Sequence, residues 1–294
     1  MPEALEITAA SAPPRKVSRV PGNWPALLGL GVLAAPTIQS LSQQAWSRES
    51  GAHGPIVLAT GGWVLWRQRD ALATGRPGAS WAIALLLAIA LPLYVFGRML
   101  DLVTLDAAGV YLVGLTILFA SYGAAALVKN WFPLIYLGFA VPPPGWIMDH
   151  MTAPLKQFVS GAATWVLSAA GLPVARQGVT IMVAQYQLLV EDACSGMNSL
   201  IGLTAISLLY IYLLRGSYLR YSLLLTALVV PIAIAGNIAR VMILILLTYF
   251  GGDHVAQGFL HYTAGVFLFC IDLLLVFALD GLLWRVVPAG LRQQ

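Results

Sequence analysis

Apolar residues fall in long runs broken by short polar stretches, at roughly 24–41, 54–67, 80–97, 107–128, 130–148, 196–214, 220–250 and 260–284. Most of these runs approach the ~20 residues that a helix needs to cross about 30 Å of hydrocarbon. The second is short for a crossing and the seventh is long. An all-α polytopic bundle of about eight transmembrane helices is expected, with residues 24–285 forming one membrane domain. The longest interval, 149–193, has a different pattern. Its first part, TAPLKQFVSGAATWVLSAAG, reads as an amphipathic or interfacial helix. Its second part, LPVARQGVTIMVAQYQLLV, is rich in Val, Ile, Thr and Tyr and is broken by Gly178, which suggests a short β-hairpin or extended pair over the membrane surface. The interval is therefore expected to form a small extracytoplasmic cap, either a roof over a site or a purely structural cover.

Composition agrees with the pattern. Only 10% of residues are charged and 59% are apolar, whereas a soluble domain carries roughly 25% charged residues. The net charge of +4 is scattered over loops and is no sign of nucleic-acid binding. It does orient the chain, because cytoplasmic loops collect Lys and Arg. With the N-terminus inside, the cytoplasmic side holds Arg15, Lys16, Arg19, Arg67, Arg69, Arg76, Lys129, Arg215, Arg220, Arg285 and Arg292. The outer side holds Arg48, Arg98, Lys156 and Arg176 with most of the acids. Both termini are expected in the cytoplasm, with residues 1–23 a disordered basic tail and 286–294 a short C-terminal tail. The first run reads as a retained anchor rather than a cleaved signal peptide, since seven more runs follow. The chain ends soon after its last run, so no fused soluble domain is expected.

Depth along the helices picks out three polar residues. From Arg215 back to Cys194 is 21 residues, from Arg220 forward to Arg240 is 20, and from Arg285 back to His261 is 24. At 1.5 Å per residue these are about 32, 30 and 36 Å, each near the thickness of the hydrocarbon core. A thiol, a guanidinium and an imidazole thus fall at one outer boundary. A thiolate is a nucleophile whose pKa a nearby cation lowers. Histidine accepts and returns protons near neutral pH, and arginine offers fixed donors to a developing oxyanion. Together they suffice for acyl transfer through a thioester. Gly196 leaves room for a peptide backbone, Asn198 and Ser199 are possible orienting groups, and Ser195 is a supporting residue beside the thiol.

Blander readings stand beside this one. Cys270 reads as an apolar filler, too deep to bridge Cys194. Arg240 could pair with Asp272, which lies near mid-membrane, and His261 could simply face headgroups. Glu191 and Asp192 read as solvated interfacial acids, able also to orient His261 or to hold a basic part of a substrate. No metal or organic cofactor is expected, since no ligand cluster is present to hold one.

Three segments resemble the exosortase/archaeosortase family of membrane cysteine transpeptidases. They are Ala193-Cys194-Ser195-Gly196, Asn237-Ile238-Ala239-Arg240, and FLHYTAGVFLF, in which His261 and Gly265 form H-x-x-x-G. His254 heads a second H-x-x-x-G, but FLHYTAG is more similar to the family context. The resemblance implies Cys194 as nucleophile, Arg240 as oxyanion or thiolate stabiliser and His261 as general acid/base. It further implies exported substrates whose C-terminal tail carries a Pro-Glu-Pro-like motif, one transmembrane helix and a basic end. Cleavage before that helix and transfer to an unknown amine acceptor would take place on the periplasmic face of a bacterial inner membrane, linked to exopolysaccharide export. Two alternatives remain open. A rhomboid-like protease would attack through Ser195, although Ala193 stands where its G-x-S-G pattern needs Gly. A transporter or polysaccharide-export component would use the break at Pro142, Pro143 and Pro144 and would depend on Asp272.

Overall fold

The computed structural model describes residues 24–47, 51, 53–73, 75–189, 196–216, 218–252 and 259–286, with the side chains of 151, 189, 196–200 and 259–264 left outside that description. Helices α1 (Trp24–Gln44), α2 (Gly54–Arg67), the single turn α3 (Arg69–Leu72), α4 (Ser80–Met99) and α5 (Val103–Lys129) come first. They are followed by α6 (Trp131–Gly138) and α7 (Gly145–Ala169). Strands β1 (Val174–Gln177), β2 (Thr180–Val183) and β3 (Tyr186–Leu189) precede α8 (Gly196–Arg215), α9 (Leu219–Gly251) and α10 (Phe259–Val286).

The architecture is all-α, with one small sheet. Among the described residues, five helices are long and apolar enough to cross a membrane: α1, α4, α5, α9 and the Gly265–Val286 part of α10. The Ile201–Arg215 part of α8 is a shorter apolar helix. The expected second span is α2, only 14 residues long. The expected fifth span, 130–148, is not one helix. It is the 8-residue α6, a turn through Pro142, Pro143 and Pro144, and then the start of α7. Consecutive prolines remove backbone donors and disfavour helical geometry in the preceding residue. The helix expected to begin near 152 therefore begins at Gly145, just past the prolines, and runs 25 residues.

Two sub-bundles hold the membrane helices. In one, α5 packs on α4 and α1. Between helices in lipid, polar contacts and close packing replace the hydrophobic drive. The buried Asp106 of α5 does this work at one end, accepting from Thr37 of α1 at 2.8 Å and from Arg98 of α4 at 2.9 Å. In the other, α9 packs on α8, α10 and α7. Asp280 of α10 is 1% exposed. It accepts from Arg215 at 3.0 Å, Tyr210 at 2.7 Å and Tyr221 at 2.8 Å. The Arg215 guanidinium also lies 3.7 Å from the ring centre of Trp284. This cluster ties the end of α8, the start of α9 and the end of α10 at a common level, and so fixes their register.

The cap is a three-stranded antiparallel meander, one strand more than the expected hairpin, in the order β1-β2-β3. Gly178 turns the first pair with φ 64°, a left-handed value that glycine adopts without penalty. Along β2, Ile181 and Val183 are buried while Thr180 and Met182 are half-buried, the alternation a strand requires. Those two side chains join Val159, Ala163 and Leu167 of α7, Leu188 of β3, and Val241 and Ile245 of α9 in one apolar cluster. The cap is thus seated on α9 immediately beyond Arg240.

Candidate active site

Of the three segments singled out in the sequence, the second lies on α9 and the third on α10, while the first is described only from Gly196, where α8 begins. Cys194 itself, with Ser195, Glu191, Asp192 and His254, lies outside the described residues. Helix α8 starts at Gly196, two residues after Cys194, and carries Asn198 in its first turn. Helix α9 carries Asn237 and Arg240, which are 6% and 5% exposed. Helix α10 carries His261 and Gly265 in its first two turns.

Two glycines let α9 and α10 approach closely, and each receives a side chain from the other helix. A Cβ on Gly265 would lie 2.8 Å from Nη2 and 3.0 Å from Cζ of Arg240, so the guanidinium packs on the bare backbone of α10. Residues four apart share a helix face, which puts position 261 one turn, or about 6 Å, along the same face from that guanidinium. The reciprocal contact is at Gly236, where a Cβ would overlap both carboxylate oxygens of Asp272. Asp272 therefore belongs to the same helix pair as Arg240, about 10 Å deeper along α10 than Gly265. Asn237 adds a buried Oδ1 that accepts no hydrogen bond among the described residues. An acceptor left in that state costs about 1–3 kcal/mol, which a donor supplied by a bound molecule would recover.

His53 is a neighbour that sequence reasoning did not find. It precedes α2, its Nε2 lies 3.2 Å from the Phe139 carbonyl, and its ring packs beside Gly202 of α8. Burial lowers its pKa, and the contact with the Phe139 carbonyl opposes that only in part. The residue holds α2, the end of α6 and α8 together near the start of the helix that follows Cys194. Asp280 was missed as well, although an acid inside an apolar run is a recognisable signal. Among the described residues no group of His, Cys, Asp and Glu is arranged to hold a metal.

Residues 46–278 match the transmembrane exosortase family. The chain belongs to that family. No curated protein and no solved structure matches it. The matched exosortase region contains Cys194, Arg240, His261, the cap and the glycine-mediated helix crossing, and it ends just before Asp280. As an exosortase, the chain is a multi-pass membrane protein with a transpeptidase, protein-sorting role. The family acts on protein substrates that carry sorting tails, and its chemistry is that of a cysteine transpeptidase.

Proposed function

We propose that this exosortase cleaves the Pro-Glu-Pro-type C-terminal tail of exported proteins through a Cys194 thioester, using Arg240 and His261, at the periplasmic face of a bacterial inner membrane. The observation that carries the reading is the buried Arg240 guanidinium seated on Gly265, one turn from position 261. A guanidinium excluded from water stabilises negative charge far better than one in solvent.

The steps balance as ordinary acyl transfer. The Cys194 thiolate adds to the scissile carbonyl, and the new oxyanion is met by Arg240. His261, protonated, gives its proton to the departing amine, and the C–N bond breaks to leave a thioester. The freed fragment keeps the membrane helix and basic end of the tail. An acceptor amine, or water, then attacks the thioester while His261 takes its proton, and the thiolate leaves. Asn198, Asn237, Glu191, Asp192, Ser195 and Gly196 are supporting residues in this reading, and Gly265 is the seat of the guanidinium. The link to exopolysaccharide export rests on the family resemblance. A transporter reading is disfavoured by the guanidinium's placement beside His261's helix turn rather than along a polar path.

Processing of a tagged exported protein bearing such a tail tests the assignment. Wild type is expected to convert the precursor to a shorter form, and Cys194→Ala to leave it intact. Equal processing by both would remove Cys194 as nucleophile and bring the Ser195 and transporter alternatives forward.

A further inference from the structure

An apolar groove of about 380 Å³ runs between α1 and the α2–α6 pair, with α5 as its floor. Along α1 it extends from Leu27 to Leu41, and along α5 from Ala107 to Leu118, or about 21 and 17 Å of helix. That is more than half of the hydrocarbon thickness. The polar groups in its lining are already engaged. Thr37 bonds to Asp106 and to the Leu33 carbonyl, and the Tyr111 hydroxyl donates to the Leu134 carbonyl. Only a hydrocarbon surface is complementary to such a wall. Leu27 and Ile38 are about half exposed, so the groove opens sideways and can be entered from the bilayer.

Beyond one end of the groove lies a second, more polar cleft, lined by the next residues along the same elements. Leu41 gives way to Gln44 on α1, Ala107 to Leu105 on α5, and Val141 to Pro142 after α6. The far wall of this cleft is Ile201, seven residues after Cys194 and on the helix that opens just beyond it. The groove and the cleft therefore lie in series along these elements, and the cleft reaches the helix following Cys194.

We propose that the groove is the docking surface for the transmembrane helix of the sorting tail, with the cleavage motif lying across the Pro142–Trp146 rim toward α8. The proposal rests on the tail-processing reading above. In the tail a polar extended motif runs directly into one continuous apolar helix, and the cleft and groove present that same order from α8 outward. Small residues in the wall, Ala34, Ala107, Gly114 and Ala140, permit the close backbone approach by which helices associate in lipid. The groove selects a helix by shape and not by polar readout, so it accepts tails of varied apolar sequence.

Photocrosslinking of the precursor to the Cys194→Ala enzyme tests this, because an adduct needs no turnover. Ile38→benzoylphenylalanine is expected to capture the precursor, and Val32→benzoylphenylalanine, on the outward side of α1, is not. In the active enzyme, Gly114→Phe fills the groove, since a Cβ there meets only Leu30 Cδ2 at 3.9 Å. It is expected to slow processing at least tenfold, while Gly29→Phe, with nothing within 4 Å, stays within twofold of wild type. Thermal unfolding of Gly114→Phe separates a filled groove from a misfolded chain, and the crosslinking arm stands without that variant. Adducts at position 38 containing only phospholipid, or equal capture from 32 and 38, would overturn the proposal and make the groove a lipid site. Normal processing by Cys194→Ala would instead sink the thioester chemistry while leaving the crosslink result to be read on its own.

Discussion

Gly265→Ala isolates the seat of the guanidinium. The added methyl would stand 2.8 Å from Nη2 and 3.0 Å from Cζ of Arg240, against the ordinary contact of about 3.5–4.0 Å. The guanidinium must therefore retreat by roughly 0.7–1 Å. Displacements near 1 Å at a catalytic group cost on the order of 10²-fold in rate. The fold should not suffer, because Ala is better than Gly in a helix interior by about 1 kcal/mol and the obstacle is the far end of a flexible side chain. Gly281→Ala is the matched control, on the same helix with nothing within 4 Å of its Cβ. Both variants are assayed as purified protein in lipid, following precursor conversion under single-turnover conditions beside thermal unfolding. The expected result is a loss of about 10²-fold for Gly265→Ala with an unchanged or raised Tm, and no loss for Gly281→Ala. Processing by Gly265→Ala within twofold of wild type would refute the idea that Arg240 acts from its seat on Gly265.

Three further predictions concern the scaffold. Asp280→Asn removes a buried charge while leaving Arg215 in place, and should cost about 3 kcal/mol of stability, read as a lower Tm; no change would mean the cluster does not hold α8, α9 and α10 in register. Asp106→Asn should cost less, about 1–2 kcal/mol, because its partner Arg98 is 38% exposed; thermal unfolding of the purified variant measures it. His53 has its pKa lowered by burial, so the folded protein holds fewer protons there than the unfolded chain. Its contribution is fully present above pH 6.5 and is lost as pH falls through the lowered value. Acidification from about pH 7.5 to about pH 5 should therefore lower the Tm of wild type more than that of His53→Gln; parallel curves would remove His53 as a source of pH dependence.

Much of the helical framework could be read from the run pattern because hydrocarbon imposes a length and a composition on whatever crosses it. The ends of α2, α4 and α9 fall within about two residues of the runs that foretold them, the usual slack at helix termini. The triple proline broke the one run that misled, as chain stereochemistry requires, but hydropathy alone does not register a missing donor. The sheet was visible as a hairpin from Gly178 and the Val, Ile and Thr around it, whereas its third strand turns at Ala184 with φ 51°, where no glycine announces the reversal.

Sequence by itself determined that this chain lives in a membrane and belongs among the exosortases, because composition, run length and three short motifs are local properties of the chain. It also placed Arg240 and His261 at similar depth, since helical rise converts residue counts into distance. Tertiary structure alone decided which faces meet: that the Arg240 guanidinium rests on Gly265, that Asp272 lies on Gly236, and that Asp280 gathers Arg215, Tyr210 and Tyr221. Depth is set by counting along one helix. The rotation of that helix is set by its neighbours, through close contacts that glycine permits and buried charges that must be answered, and no single apolar run contains that information.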